Sequence, residues 1–385
     1  MSQVYFDNAA TTQIRQEVLE RMMEVMREVP GNPSSTHAVG RTAKSHVESA
    51  RKTIAKILNV TAGEIIFTSG GTEADNLVIN SAARDLGVQR IITSRIEHHA
   101  VLHAAEEAAK TYNILLEYVP LKECGTPDEK KLEEMLASND AKTLVSLMHV
   151  NNEVGNMIDI KAIATMCKSY GALVHSDMVQ SIGHYAIDLQ EVPVDFVAAA
   201  AHKFHGPKGV GFAFIRKNSG LKPLIFGGSQ ERGLRAGTEG VHNIAGLETA
   251  MQCAYTHLEE ESNYVKGIKT YFAERLKKEI PSVKLNGNCS NPEKSTYTLL
   301  NVCLPIASEK ALLLLFQLDM KGIACSKGSA CQSGSDKGSH VLQEILSEDD
   351  LKKPSVRFSF SKYNTKEEVD YVISVLKEFL EGVPA

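Results

Sequence analysis

From about residue 60 to 216, short apolar runs alternate with segments whose apolar residues recur every three or four positions. The runs EIIFTSG (64–70), RIITSRI (90–96), ILLEYVPL, TLVSLMHV (143–150), ALVHSD (172–177), VDFVAAAA and GVGFAFIR (209–216) predict strands. The stretch from Thr72 to about Leu86, then HHAVLHAAEEAAK, DEKKLEEMLAS and IKAIATMCKSYG, predict helices between them. Alternation of this kind gives an α/β fold, a mainly parallel sheet covered by helices on both faces. After about residue 255 the pattern changes. A charged helix, HLEEESNYVKGIKTYFAERLKKEI, precedes short strands near 296–304 and 355–360. A last helix puts Val369, Val372, Ile373, Leu376, Phe379 and Leu380 on one stripe, so this part reads as a smaller α+β domain.

Length agrees with two domains, since 385 residues exceed the size at which one core stops growing. Hydrophobic content of 43% and charged content of 23% are ordinary for a globular chain. Lys plus Arg number 42 against 47 Asp plus Glu, a net charge of -5 that offers no nucleic-acid or anionic-membrane surface. No apolar run is long enough to span a bilayer, and MSQVYFDNAATT lacks the pattern of a signal peptide. Seven cysteines, an odd number without a C-x-x-C pair, argue against a disulfide framework and a zinc knuckle, and point to the cytoplasm.

The candidate chemistry gathers where strands end, which is where open α/β sheets bind ligands. TSGGTEADN follows a strand and opens a helix, so its N–H groups and the Thr72 hydroxyl suit a phosphate. A glycine turn with a Thr cap and Glu73 and Asp75 in the first helical turn explains the same letters. Asp177 closes the strand ALVHSD, as a functional carboxylate or a solvated strand end. In AAAAHKFHGPKGVG, Lys203 leaves an apolar strand between His202 and His205. Lost hydration there makes a Schiff base feasible, while a snorkelling surface lysine is the plainer alternative. His99 and His103 are four apart but have no clear third metal ligand, and His98 suits stacking on a planar ring. A phosphate cradle, a strand-end acid and a lysine are together what pyridoxal phosphate requires. Separately, CSKGSACQSGSDKGS (325–339) sets Cys331 among small and polar residues that could not pack a core.

The motifs YFDNAATT, GNPSSTHAVGR, FTSGGTEADN, HVNNEVGNMIDI, HSDMVQSIG, HKFHGPKGVG, RGLRAGT and GSACQSG, in this order, resemble those of class I cysteine desulfurases of the nitrogen-fixation and iron–sulfur-cluster type. The resemblance runs from residue 4 to about 375 and implies pyridoxal phosphate fold type I. It implies a large domain over 15–254 and a small domain from 1–14 and 255–385 that carries the cysteine loop. By position, Lys203 holds pyridoxal 5'-phosphate and later moves the Cα proton, Asp177 pairs with the ring nitrogen, and His98 stacks on the ring. Asn152 and Gln180 lie near the ring hydroxyl; Gly71, Thr72 and His202 bind phosphate, with Thr238 reaching it from the second subunit of a homodimer. Arg357, in SVRFSF, clamps the substrate carboxylate, with Asn152 beside it. The implied reaction takes L-cysteine to L-alanine and leaves the sulfur on Cys331 as a persulfide, for an iron–sulfur scaffold or another acceptor protein. Cys325 reads as a packed residue at the base of the loop.

Two departures bear on these expectations. The family has Ser where this chain has Ala200, and a hydrogen bond lost to a charged group costs about 1.5–3 kcal/mol, so weakened cofactor retention is expected. DKG (336–338) replaces the usual Leu-Glu-Pro, and the chain ends at Ala385 without a longer tail, which points to a different scaffold partner. The rivals are a selenocysteine lyase, a class V aminotransferase, and a catalytically weak sulfur-relay subunit. GSAC weighs against the aminotransferase, and intact Lys203, Asp177, His98 and Cys331 weigh against the relay.

Overall fold

The computed structural model describes residues 3–306, 308–327 and 338–382. Its strands are Val4–Tyr5 (β1), Ile65–Thr68 (β2), Arg90–Thr93 (β3), Leu115–Tyr118 (β4), Thr143–Ser146 (β5), Leu173–Asp177 (β6), Phe196–Ala200 (β7) and Gly211–Ile215 (β8). Four more follow: Lys284–Leu285 (β9), Leu299–Cys303 (β10), Ile323–Ala324 (β11) and Ser355–Ser359 (β12).

Seven strands form one sheet in the order β2-β8-β7-β6-β5-β3-β4. All its neighbours are parallel except β8, which runs antiparallel to both β2 and β7. The reason is local. Only residues 201–210 join β7 to β8, fewer than the dozen or so that a parallel crossover requires. Successive residues face opposite sides, so β2 sends Ile66 and Phe67 into different clusters, and β5 does the same with Leu144 and Val145. One face packs Phe67, Val145, Val174, Phe212 and Phe214 with residues of helices Gln16–Glu28, Ala38–Ile57 and Val241–Thr256. The other packs Ile66, Ile91, Leu144 and Phe196 with residues of helices Gly71–Asp85 and His99–Tyr112. Burial on both faces is why these strands read as unbroken apolar runs.

A second core is built from opposite ends of the chain. Val4 and Phe6 join Phe272, Phe358 and Phe360 and the stripe Val369, Val372, Ile373 and Leu376. The Phe6 ring packs 5.3 Å from Phe360 and 5.8 Å from Phe272. β1 pairs in parallel with β11, and β10 is the centre of the antiparallel sheet β12-β10-β9. An ion pair from buried Arg15 to half-buried Glu261 ties the start of the first core's helices to helix Leu258–Glu279 of the second. Because β1 belongs to the second core, residues 7–12 must cross from it to the first.

Candidate active site

The segments that follow β2, β3, β5, β6 and β7 line one cavity of about 230 Å3 at the carboxyl edge of the sheet. After β7 the turn Ala201–Lys203 brings Lys203 to it, and Nζ donates to the carbonyls of Ala9 (2.7 Å) and Ala10 (2.8 Å). Asp177, the last residue of β6, is buried and accepts from the Val179 N–H at 2.9 Å. Burial pushes its carboxyl up to about 6, against the opposing pull of the Val179 N–H and the Lys203 charge. Gln180 donates to the Ala9 carbonyl at 3.0 Å, so the crossing segment is held from two sides.

Helix Gly71–Asp85 begins at Gly70 with no side-chain cap, which leaves its first N–H groups open beside the Thr72 hydroxyl. A side chain at Gly71 would come within 2.6 Å of Val179, so this approach needs glycine. His202 places Nδ1 3.2 Å from the Thr11 hydroxyl, and burial, then Lys203 and Lys208, pushes the imidazole down to about 4. Ala200 lines the same cavity and brings no polar side chain to it. Thr238 is not in this cavity; it lines a separate one of about 190 Å3 with Thr68, Ser69 and Arg235.

His98 caps helix His99–Tyr112, its Nδ1 accepting from the Ala100 N–H at 3.1 Å. Burial, then Lys203, pushes it down to about 4, so the ring is neutral and keeps its proton on Nε2. The His99 and His103 rings stack 5.0 Å apart. Arg357, on β12, is 1% exposed, so a surface ion pair is not its role. Its guanidinium binds Asp7 at 2.9 Å and donates to the Asn152 carbonyl at 2.8 Å, while the buried Nε has no partner. Asp7 also accepts from the Ser326 hydroxyl at 2.8 Å. Cys325 packs against the second core, where burial pushes its thiol up to about 12. Cys331 lies outside the described residues.

Several groups in or behind the cavity wall carry no functional signal in the sequence. Asp75, which reads as a first-turn helix acid, is buried with His175 Nε2 3.4 Å away. Burial, with Asp177 and Glu97 near, holds it well above the ordinary carboxylate range. Glu97 is buried under the Ser94 hydroxyl and the Met148 N–H and pushed up to about 8 by that burial. Glu153 and His340 complete the wall. An apolar stripe or turn signature marks none of these, because contacts distant in sequence bury them.

A larger cleft of about 880 Å3 lies along helix Leu258–Glu279. Its buried lysine, Lys269, already donates to Ser295 and Thr296, and the cleft holds no counterpart of the Lys203–Asp177 pair. The smaller cavity therefore carries the chemistry. An amine, a buried acid, an uncapped helix start and an arginine with an open N–H fit a phosphorylated, cationic-ring aldehyde and an amino acid beside it.

Known proteins agree. The model of the aminotransferase class-V family matches residues 4–372. A curated cysteine desulfurase IscS of Dictyoglomus turgidum is 39% identical over 381 residues, 98% of this chain and 95% of its own. A solved NifS-like protein superposes with a TM-score of 0.89 at 36% identity, covering 99% of this chain and 100% of that one. SspA, solved in complex with cysteine, gives 0.81 at 30% identity over 94% of this chain and 100% of its own. With its sheet, its strand-end lysine and acid, and matches of this length, the chain belongs to the aminotransferase class-V family, whose members have fold type I and use pyridoxal 5'-phosphate.

Proposed function

We propose that this chain is a cysteine desulfurase that converts L-cysteine to L-alanine and passes the sulfur to Cys331 as a persulfide, for iron–sulfur cluster or other thio-cofactor assembly. The observation that carries the reading is Arg357. A buried guanidinium with an open Nε faces the same cavity as Lys203 and Asp177, which is what an α-amino acid carboxylate needs.

When bound, pyridoxal phosphate supplies the electron sink for charge left at Cα. The chain's residues do the rest. Lys203 would hold the cofactor through its amine and, with substrate bound, take the proton from Cα. Asp177, ionised opposite a cationic ring nitrogen, keeps that nitrogen charged. His98 would stack on the ring, and Asn152 and Gln180 would hold its hydroxyl. Gly71, Thr72 and His202 hold the phosphate, with Thr238 reaching it from a second copy in a homodimer. Cys331, as thiolate, takes the substrate sulfur, a step that needs an accessible, nucleophilic thiol. We assign 15–254 to the cofactor domain, and 1–14 with 255–385 to the small domain. The odd cysteine count without a C-x-x-C pair supports a cytoplasmic location; no helix among the described residues is long and apolar enough to cross a membrane. An iron–sulfur scaffold or another acceptor protein receives the sulfur.

The test supplies pyridoxal phosphate, L-cysteine and a reductant, and measures alanine and sulfide. Lys203→Ala should lower turnover by about 10³-fold or more. Cys331→Ser should abolish reductant-released sulfide. Sulfide undiminished in the Cys331→Ser protein would sink the persulfide step, and wild-type protein that makes no alanine would sink the whole reading.

A further inference from the structure

The cavity wall also holds an acid–base pair, with the facing atoms buried, that the roles above leave idle. Glu153 is 1% exposed and lines the cavity. Its Oε2 accepts from the Ser339 hydroxyl, which also caps helix His340–Ile345, so the carboxylate is fixed in place. Its Oε1 is buried without a partner. His340 lines the same cavity, and its Nε2 lies 2.9 Å from the Glu97 carbonyl. A carbonyl only accepts, so in the neutral ring Nε2 carries the proton and Nδ1 the free lone pair. That Nδ1 is also buried without a partner, 3.9 Å from Glu153 Oε1, too long for a hydrogen bond.

Two buried polar atoms left open side by side are expensive unless something fills them. The tautomer sets what can. His340 Nδ1 is a base, and a carboxylate beside it stabilises the imidazolium that forms on proton uptake. His98 is arranged the other way: its Nδ1 is already occupied by the Ala100 N–H, so it offers the cavity a donor and no acceptor. His340 also faces the His99 ring at 4.2 Å, with His103 stacked behind and His98 near, and Glu153 is the one carboxylate described against it.

We propose that His340 is the base that takes the thiol proton of the substrate, with Glu153 as its positioning residue. The S–H bond breaks, its electron pair stays on sulfur, and the proton goes to Nδ1. Sulfur transfer to Cys331 leaves a carbon that needs one proton to become the methyl group of alanine; the thiol proton passed from the imidazolium to solvent balances the one taken up from solvent at carbon, so no oxidant or reductant is consumed. The inference rests on the cysteine desulfurase reading and deepens it.

L-selenocysteine supplies the decisive comparison, because its selenol is already ionised at neutral pH and needs no base. His340→Gln keeps a side-chain N–H for the Glu97 carbonyl but cannot take a proton. We expect it to lose about 100-fold in kcat/KM on L-cysteine and less than threefold on L-selenocysteine, at unchanged cofactor affinity by equilibrium dialysis. Glu153→Gln should show the same selectivity at about tenfold. His340→Asn repeats the measurement if the glutamine protein does not fold. Equal losses on both substrates, or none on either, would overturn the assignment. Wild-type protein inactive on both would instead overturn the reading it rests on.

Discussion

The two sides of the cavity are built in different ways. Asp177 ends β6, Lys203 stands three residues past β7, and Thr72 lies in the first turn of the helix after β2, so backbone ladders of one sheet place them. The rest of the wall comes from Glu153, His340 and Arg357, which are far apart in sequence and held by the Ser339 hydroxyl, the Glu97 carbonyl, and Asp7 with the Asn152 carbonyl respectively. The cofactor side is therefore rigid by topology, and the substrate side is specific by hydrogen bonding. Substitutions on the first should act on cofactor chemistry, and those on the second on substrate recognition.

Arg357→Lys attacks the second side most directly. A lysine keeps the charge but loses the planar fork that binds a carboxylate and the Asn152 carbonyl together. KM for L-cysteine should rise about 100-fold, the upper range for losing hydrogen bonds between charged groups, at unchanged cofactor affinity. Steady-state kinetics with equilibrium dialysis would check it. A KM within twofold of wild type would mean that this wall does not clamp substrate.

Ala200→Ser probes the cofactor side at the position where the strand end lacks a hydroxyl. One new hydrogen bond to a phosphate should lower the dissociation constant of pyridoxal phosphate about tenfold or more and leave KM unchanged. With no tryptophan in the chain, cofactor absorbance after ultrafiltration is the readout. Unchanged retention would show that the 200 position does not meet the phosphate.

This division also explains what could be read from the sequence. Six of the seven strands are visible because each is short and buried on both faces, β4 at the edge being the exception, and the residues after them fall at one edge by topology alone. Lys203, Asp177 and the glycine-rich helix start thus stood out together. The antiparallel β8 did not, since its apolar run is that of any buried strand and only the short 201–210 link reverses it. Arg357 had a role only through the resemblance, until β12 set it buried beside Asp7. Asp75 has the sequence position of a helix-start acid, yet β6 behind it turns that position inward against His175. Glu153 and His340 carry no local pattern at all. Their meaning comes from an orphaned oxygen and an orphaned nitrogen that only a folded chain sets side by side.

The smallest effect concerns stability, and it separates the two sides by sign. In the apoprotein the Asp177 carboxyl is pushed up to about 6 by burial, above its unfolded value of 3.8. A carboxyl raised on folding contributes stability that is full below the unfolded value and lost as pH rises through the folded one. Above about pH 6 the apoprotein must hold a buried carboxylate with Asp75 nearby and no ring nitrogen to pair with it. Asp177→Asn removes that titration. The difference in apoprotein melting temperature, variant minus wild type, should therefore climb between pH 4 and 7 and then level off. The imidazoles of His98, His99, His202 and His205, all pushed down to about 4 by their burial, destabilise both proteins as pH falls below 6.5, and so cancel in the difference. A difference that stayed flat with pH would mean that Asp177 ionises on the folded protein as freely as in water. With cofactor the order should reverse at neutral pH, because the carboxylate that burdens the empty cavity is the one that a cationic ring nitrogen requires.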